Sequence, residues 1–292
     1  MQYAGYNVDE KYSAIVEPNL YYDSIFQPGM TFSDKFQGDG VAAGLVHVYK
    51  VTGDAVAAPK TPASDFTHEA AANSFLDIRL NNTQSKSKKI YRVQSNAVPY
   101  SMAETHLAEA VTNCREGWQA SGLACLVHEG TALTDTAAIT KDNIKAKVLA
   151  ARKSVRKGKA VANVVLASVE LYTTMLEAAG DQYTPVINDA IMQSGQVGKW
   201  LGMLWIECNM LDLLTAAKYY DYAGTLQTED LSLVDFIMYD WNRLTIVDNL
   251  ETIRLKDSEN FNGTLAQVEI NSGYRVTEAA SVAVKKHAAG NS

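Results

Sequence analysis

The stretch from Thr140 to Leu211 constrains the fold most, because helix, strand, helix and strand signals follow one another there with their stop signals intact. Ile144, Val148, Ala151 and Val155 recur at i, i+4, i+7 and i+11 and mark a buried helical face, with Thr140 at the expected N-cap and Asp142 in the first turn. Arg152, Lys153, Arg156 and Lys157 suit the negative end of the helix dipole, and Gly158 is expected to supply the left-handed terminating residue. Ala160–Ala167 is short, apolar and rich in Val, the pattern of a strand covered on both faces. Ser168 is expected to cap a second helix lined by Tyr172, Met175, Leu176 and Ala179 and stopped by Gly180. After a loop around Pro185, Gln196–Ile206 reads as another strand region, with Gly198 and Gly202 permitting close approach or a bend.

Around this α/β unit the remaining segments have distinct characters. Residues 1–37 carry Tyr3, Tyr6, Tyr12, Tyr21, Tyr22, Phe26, Phe32 and Phe36 without a sustained period. Such an arm must lay its aromatics on its own domain or on a neighbouring subunit. Gly38–Gly44 approaches a dinucleotide fingerprint, which counts only between a strand and a helix; here Leu45–Val51, an alternating β-branched strand, follows it. Lys89–Gln94 is expected to pair with Leu45–Val51 as a long hairpin whose tip holds Pro59, Pro62, a helix-like piece from His68 to Phe75 and a basic end of Lys86, Lys88 and Lys89. Such a charged tip serves either as a solvated loop or as a contact to a neighbouring subunit.

Ser101 and Glu104 form a capping-box pair ahead of Leu107, Val111, Cys114 and Trp118, a single helical stripe, and Gly122 is the expected stop. Leu231–Tyr239 and Ile246–Leu255 carry strand-like signals, Thr264–Ile270 and Tyr274–Thr277 are expected to form a hairpin turning at Asn271–Gly273, and Ser281–Lys285 closes as a last strand. The long helix and the last strands flank the α/β unit, which implies one domain interrupted by another.

Chemistry is nearly silent in this chain. There is no P-loop, nucleophile elbow or H-E-x-x-H, and the five histidines show no metal-ligand spacing, so no catalytic, cofactor or metal site is expected. A balance of 33 acidic against 26 basic residues, net −7, argues against a chain whose main work is gripping phosphates. Cys114, Cys125 and Cys208 lack paired spacing and sit in apolar settings, which fits a reducing compartment. No apolar run reaches the roughly 20 residues of a membrane span, and the start lacks signal-peptide features, so a cytoplasmic product without membrane partners is expected.

The segments VANVVLAS, VELYTTMLEA and GQVGKWLGMLWIECNML resemble the axial (A) domain of tailed-bacteriophage major capsid proteins of the Hong Kong 97 type. VDFIMYDWNRLTIVDNLETIR and GTLAQVEINSGYRVTEAASVAV are similar to the return strands of that family's peripheral (P) domain. The resemblance implies an α+β capsid fold: N-terminal arm 1–37, extended E-loop 38–98, P-domain with spine helix 99–135, inserted A-domain 136–224, and P-domain return strands with tail 225–292. It implies a non-enzymatic shell protein that forms hexamers and pentamers around double-stranded DNA without sequence-specific binding. The partners it implies are a separate scaffolding protein, a portal and a decoration protein, with assembly in the host bacterial cytoplasm. Lys86, Lys88, Lys89, Tyr21, Tyr22 and Phe26 are then the assembly-interface candidates, the lysines also for covalent crosslinking, and Leu107, Val111, Cys114 and Trp118 the spine-helix core. An encapsulin-type nanocompartment is the alternative with the same fold, and a nucleotide-binding enzyme at Gly38–Gly44 the alternative of another class.

Overall fold

The structure is a computed structural model that describes residues 20–22, 24–37, 44–51, 73–98, 100–180 and 199–288. In chain order, β1 (Leu45–Val51), β2 (Asn73–Arg79) and β3 (Asn82–Tyr91) precede α1 (Arg92–Ala97) and the long helix α2 (Met102–Glu129). Then come β4 (Thr131–Ala132), α3 (Ile144–Lys157), β5 (Val164–Ala167), α4 (Val169–Gly180), β6 (Lys199–Trp200), β7 (Met203–Glu207) and α5 (Met210–Leu213). The chain closes with β8 (Ala217–Tyr220), β9 (Leu226–Glu229), β10 (Val234–Tyr239), β11 (Leu244–Asp257), β12 (Gly263–Val276) and β13 (Val282–Lys286).

Two sheets organise these elements. A mixed six-stranded sheet has the order β4-β13-β10-β5-β7-β6, so strands far apart in sequence flank β5. All four residues of β5 are buried, as a strand covered on both faces requires. Val164 and Leu166 join Ile237, Tyr239, Val282 and Val284 beneath Leu123–Val127 of α2. Val165 and Ala167, on the opposite face, join Phe236, Met238 and Ala283 beneath α3 and α4. Period-two alternation in the strands thus divides one sheet between two cores. The α3 face is the expected one: Ile144, Val148, Ala151 and Val155 have no exposed surface. Ser168 caps α4, its Oγ accepting from Leu171 N at 3.2 Å. Tyr172 and Met175 of that helix are buried.

The second sheet, β11-β12-β3, is antiparallel, and the first half of α2 lies across it, with Ala110 and Cys114 on Val268 and Ile270. Helix α2 therefore spans both sheets, and its 28 residues at ~1.5 Å rise make a rod of about 42 Å.

Several expectations are corrected. Gly122 does not end α2, which runs to Glu129; a Cβ there would sit 2.7 Å from Phe26 Cε2, so close packing explains the glycine. Gly158 has φ −73°, and Lys159 at φ 62° takes the left-handed conformation instead; a Cβ on Gly158 would meet Ala280 O at 2.5 Å. Thr140 precedes the helix by a turn, and Asn143 holds the N-cap position of α3. Leu45–Val51 pairs with Asn73–Arg79 rather than with Lys89–Gln94, and Phe75 is extended. Residues 92–94 open the short helix α1. No turn forms at Asn271–Gly273, because β12 runs straight through, pairing with β3 up to Ser272 and with β11 on to Val276. Leu201 (φ 53°) and Gly202 (φ 79°) form the tight β6–β7 turn, the bend that Gly202 permitted. Residues 38–43 of the fingerprint, the hairpin tip with Pro59, Pro62 and His68, the arm before Leu20 and the loop around Pro185 lie outside the described residues.

Candidate functional site

The β1–β2 hairpin presents two unlike faces. One turns to the body: Val46 and Ile78 are buried with Leu80 against Val247, and Lys50 Nζ donates to Glu278 Oε2 at 2.6 Å. On the other face Tyr49 opposes Phe75 with ring centroids 4.8 Å apart, yet the residues are 74% and 61% exposed, and neighbouring Val51 is 76% exposed. A two-stranded ribbon is marginal alone, and clustered exposed aromatics mark a contact surface more than a solvated one.

Lys86, Lys88 and Lys89 lie in β3, paired opposite Val268, Ala266 and Leu265, and so are not at a hairpin tip. Strand alternation sends Lys86 and Lys88 to the α2 side, where Lys88 pairs with Glu109 of the helix, and His106 Nδ1 lies 3.1 Å from the same carboxylate. The Lys88 and His106 hydrogen bonds hold the Glu109 carboxyl below its ordinary range. This contribution to stability is present above the ordinary glutamate value and is lost as pH falls through the lowered one. Lys89 faces away, its ammonium 5.9 Å from the Phe261 ring centroid. Lys88→Glu would place two carboxylates together and is expected to destabilise the subunit by about 1 kcal/mol, whereas Lys89→Glu stays within about 0.5 kcal/mol. Urea unfolding of both variants checks the difference.

Of the aromatic arm candidates, Phe26 is buried within its own subunit and cannot be a surface contact there. Its ring meets Trp118 edge-on at 5.9 Å, as does that of Phe32, while Tyr274 tilts against Trp118 at 6.5 Å. Trp118 Nε1 donates to Asp248 Oδ1 at 2.8 Å. Tyr22 is half-buried, its backbone N donating to Glu116 Oε1 at 2.7 Å, and Tyr21 is 36% exposed. Leu107, Val111 and Trp118 are partly buried against the Cys114 cluster on β12.

The end of α2 carries a partly buried ion pair that the scattered carboxylates of the sequence do not mark. Glu129 Oε1 accepts from Arg275 Nη1 at 2.7 Å and Oε2 from Val276 N at 2.8 Å, while the Arg275 guanidinium stacks 3.9 Å from the Tyr222 ring centroid. Burial pushes the Glu129 carboxyl up against the opposing pull of Arg275 and the Val276 amide. Burial and the nearby Glu129 charge also push the Cys125 thiol well up, the behaviour of an inert core thiol. Beside this pair a cleft of about 430 Å³ separates the body from the hairpin and is lined by Lys50, His128, Asp221, Tyr222 and Glu278. Lys50 pairs with Glu278 and Arg275 with Glu129 there, while Asp221 accepts from the Ala223 and Thr225 amides, an arrangement that suits a structural joint. Among the described residues no three His, Cys, Asp or Glu side chains are grouped to hold a metal, and no helix is long and apolar enough to cross a membrane.

No protein-family model matches the chain, and no curated protein matches it. Solved structures do. A structure from Mycobacterium phage Che8 is 17% identical with a TM-score of 0.74, covering 95% of this chain and 96% of that one. The capsid structure of the cyanophage P-SCSP1u is 11% identical with a TM-score of 0.71, covering 96% and 93%. The capsid of the Myoviridae phage XM1 is 11% identical with a TM-score of 0.62, covering 98% and 100%. The chain has the fold of phage capsid proteins.

Proposed function

We propose that this chain is the major capsid protein of a tailed bacteriophage, a structural subunit whose copies form hexamers and pentamers and close into an icosahedral shell around double-stranded DNA. The observation that carries this reading is the likeness in fold to phage capsids over more than nine-tenths of the chain. The uncovered Tyr49, Val51 and Phe75 face supports it, since such a ribbon gains most when a neighbouring subunit covers it. In this reading β1 and β2 are the E-loop, α2 is the spine helix of a P-domain built with β3, β11 and β12, and α3, α4 and the six-stranded sheet are the A-domain. In this reading β10 and β13, which share that sheet, belong with the A-domain and not with the return strands. A scaffolding protein, a portal and a decoration protein are its proposed partners, and the virion its location.

Electron microscopy of the expressed protein is expected to show closed particles or capsomers. Sedimentation as a compact ~32 kDa monomer at every concentration and salt tested would overturn the proposal.

A further inference from the structure

Residues 140–159 hold eight of the 26 basic residues of the chain and one of its 33 acidic ones, so a segment of net +7 sits within a remainder of net −14. The structure gathers four of the eight on one helix face. Ile144, Val148, Ala151 and Val155 turn inward, and Arg152, Lys153, Arg156 and Lys157 are exposed on the outer side of α3, with exposed Lys159 just beyond it. Asp135 pairs with Lys147, but among the described residues no ion pair engages Arg152, Lys153, Arg156 or Lys157.

The helix dipole accounts for Arg156 and Lys157 in the last turn, but Arg152 and Lys153, which the sequence also assigns to that end, lie before it. Arg152 with Arg156, and Lys153 with Lys157, are like charges at i, i+4, which repel one another and weaken a helix that holds no acidic residue of its own. At ~1.5 Å rise the spacing of four residues sets like cations about 6 Å apart along the helix, so several can meet one strand, which carries a phosphate about every 3.4 Å of duplex axis. Two of the four are guanidiniums, whose planar forks engage phosphate oxygens in pairs.

We infer that the outer face of α3 is a phosphate-backbone contact surface, and that its occupant is duplex DNA held without base readout. The identity of the duplex as packaged genome rests on the shell reading, and α3 then faces the lumen. Net acidity of the rest of the chain keeps the contact local and weak, so that the duplex is positioned without being immobilised.

The test is a titration of the purified full chain into a labelled random-sequence duplex of about 30 base pairs, starting near 50 mM salt. Binding indifferent to base sequence is expected, with a slope of about −3 to −4 in log affinity against log salt if four phosphates are neutralised. The combined Arg152→Gln, Lys153→Gln, Arg156→Gln and Lys157→Gln variant is expected to keep its melting temperature and lose at least about tenfold in affinity, with most of the salt slope. A second variant, Arg152→Lys with Arg156→Lys, retains the charge and is expected to retain the slope. Equal binding by the neutral variant and the wild type overturns the inference. So does a wild type that ignores the duplex but binds polyglutamate, which makes the occupant an acidic polypeptide. Electron microscopy reads assembly separately: particles from a chain that ignores DNA sink this inference alone, whereas duplex binding with no particles supports the basic face and sinks the shell reading.

Discussion

Replacing Glu129 with Ala is expected to lower the free energy of unfolding by about 3–5 kcal/mol, because Arg275 is left charged in a site where its own side chain is 16% exposed. Glu129→Gln keeps an acceptor for the guanidinium and is expected to lose roughly half as much. The pair is not a simple source of stability. Burial raises the Glu129 carboxyl above its ordinary value, so the folded state takes up a proton there more readily than the unfolded chain does. The stability linked to this group is therefore full below the ordinary glutamate value and declines as pH rises through the raised one. Converting both partners to apolar residues, Glu129→Leu with Arg275→Met, is expected to recover most of the loss of the single variant. Urea unfolding of the three variants at neutral pH decides it, and a Glu129→Ala midpoint equal to the wild type would refute the pairing.

Trp118→Ala is expected to cost about 3–5 kcal/mol through a cavity that several elements share. The ring touches Phe26 and Phe32 from the arm and Tyr274 from β12, and its N–H reaches Asp248 on β11, so its removal loosens arm, helix and sheet together. Trp118→Phe keeps much of the packing and loses the hydrogen bond, with an expected cost of about 1–2 kcal/mol. Denaturant midpoints with unchanged slopes would locate both losses in the folded state. A Trp118→Ala subunit as stable as the wild type would show that the arm is not anchored there.

The candidate assembly residues divide by whether their contacts are local. Phe26 is an aromatic in an aperiodic segment, and nothing nearby in sequence marks Trp118, more than ninety residues away, as its partner. The exposed Tyr49 and Phe75 are hidden for a related reason: local sequence places Phe75 in a helix-like piece, and only the pairing of β1 with β2 brings the two rings together. Lys88 appeared free because Glu109 lies in the next long helix and approaches only when α2 crosses β3.

What the sequence determined by itself is the set of elements whose burial pattern is complete within a few residues. The α3 stripe, the doubly covered β5, the Ser168 cap and the stripe of α2 follow from periods of 3.6 and 2 and from capping chemistry, which need no knowledge of the rest of the chain. The order of those elements also carried the resemblance to the capsid fold. Tertiary structure alone decided where α2 ends, which strand takes which partner, and that β12 continues through Asn271–Gly273. Gly122 and Gly273 read as stop and turn signals because glycine permits both. In the fold they are glycines because Phe26 and the Arg79 carbonyl approach their backbones to within 2.7 Å of where a Cβ would stand. The same absent side chain serves a turn or a close approach, and only the neighbour that fills the space distinguishes them.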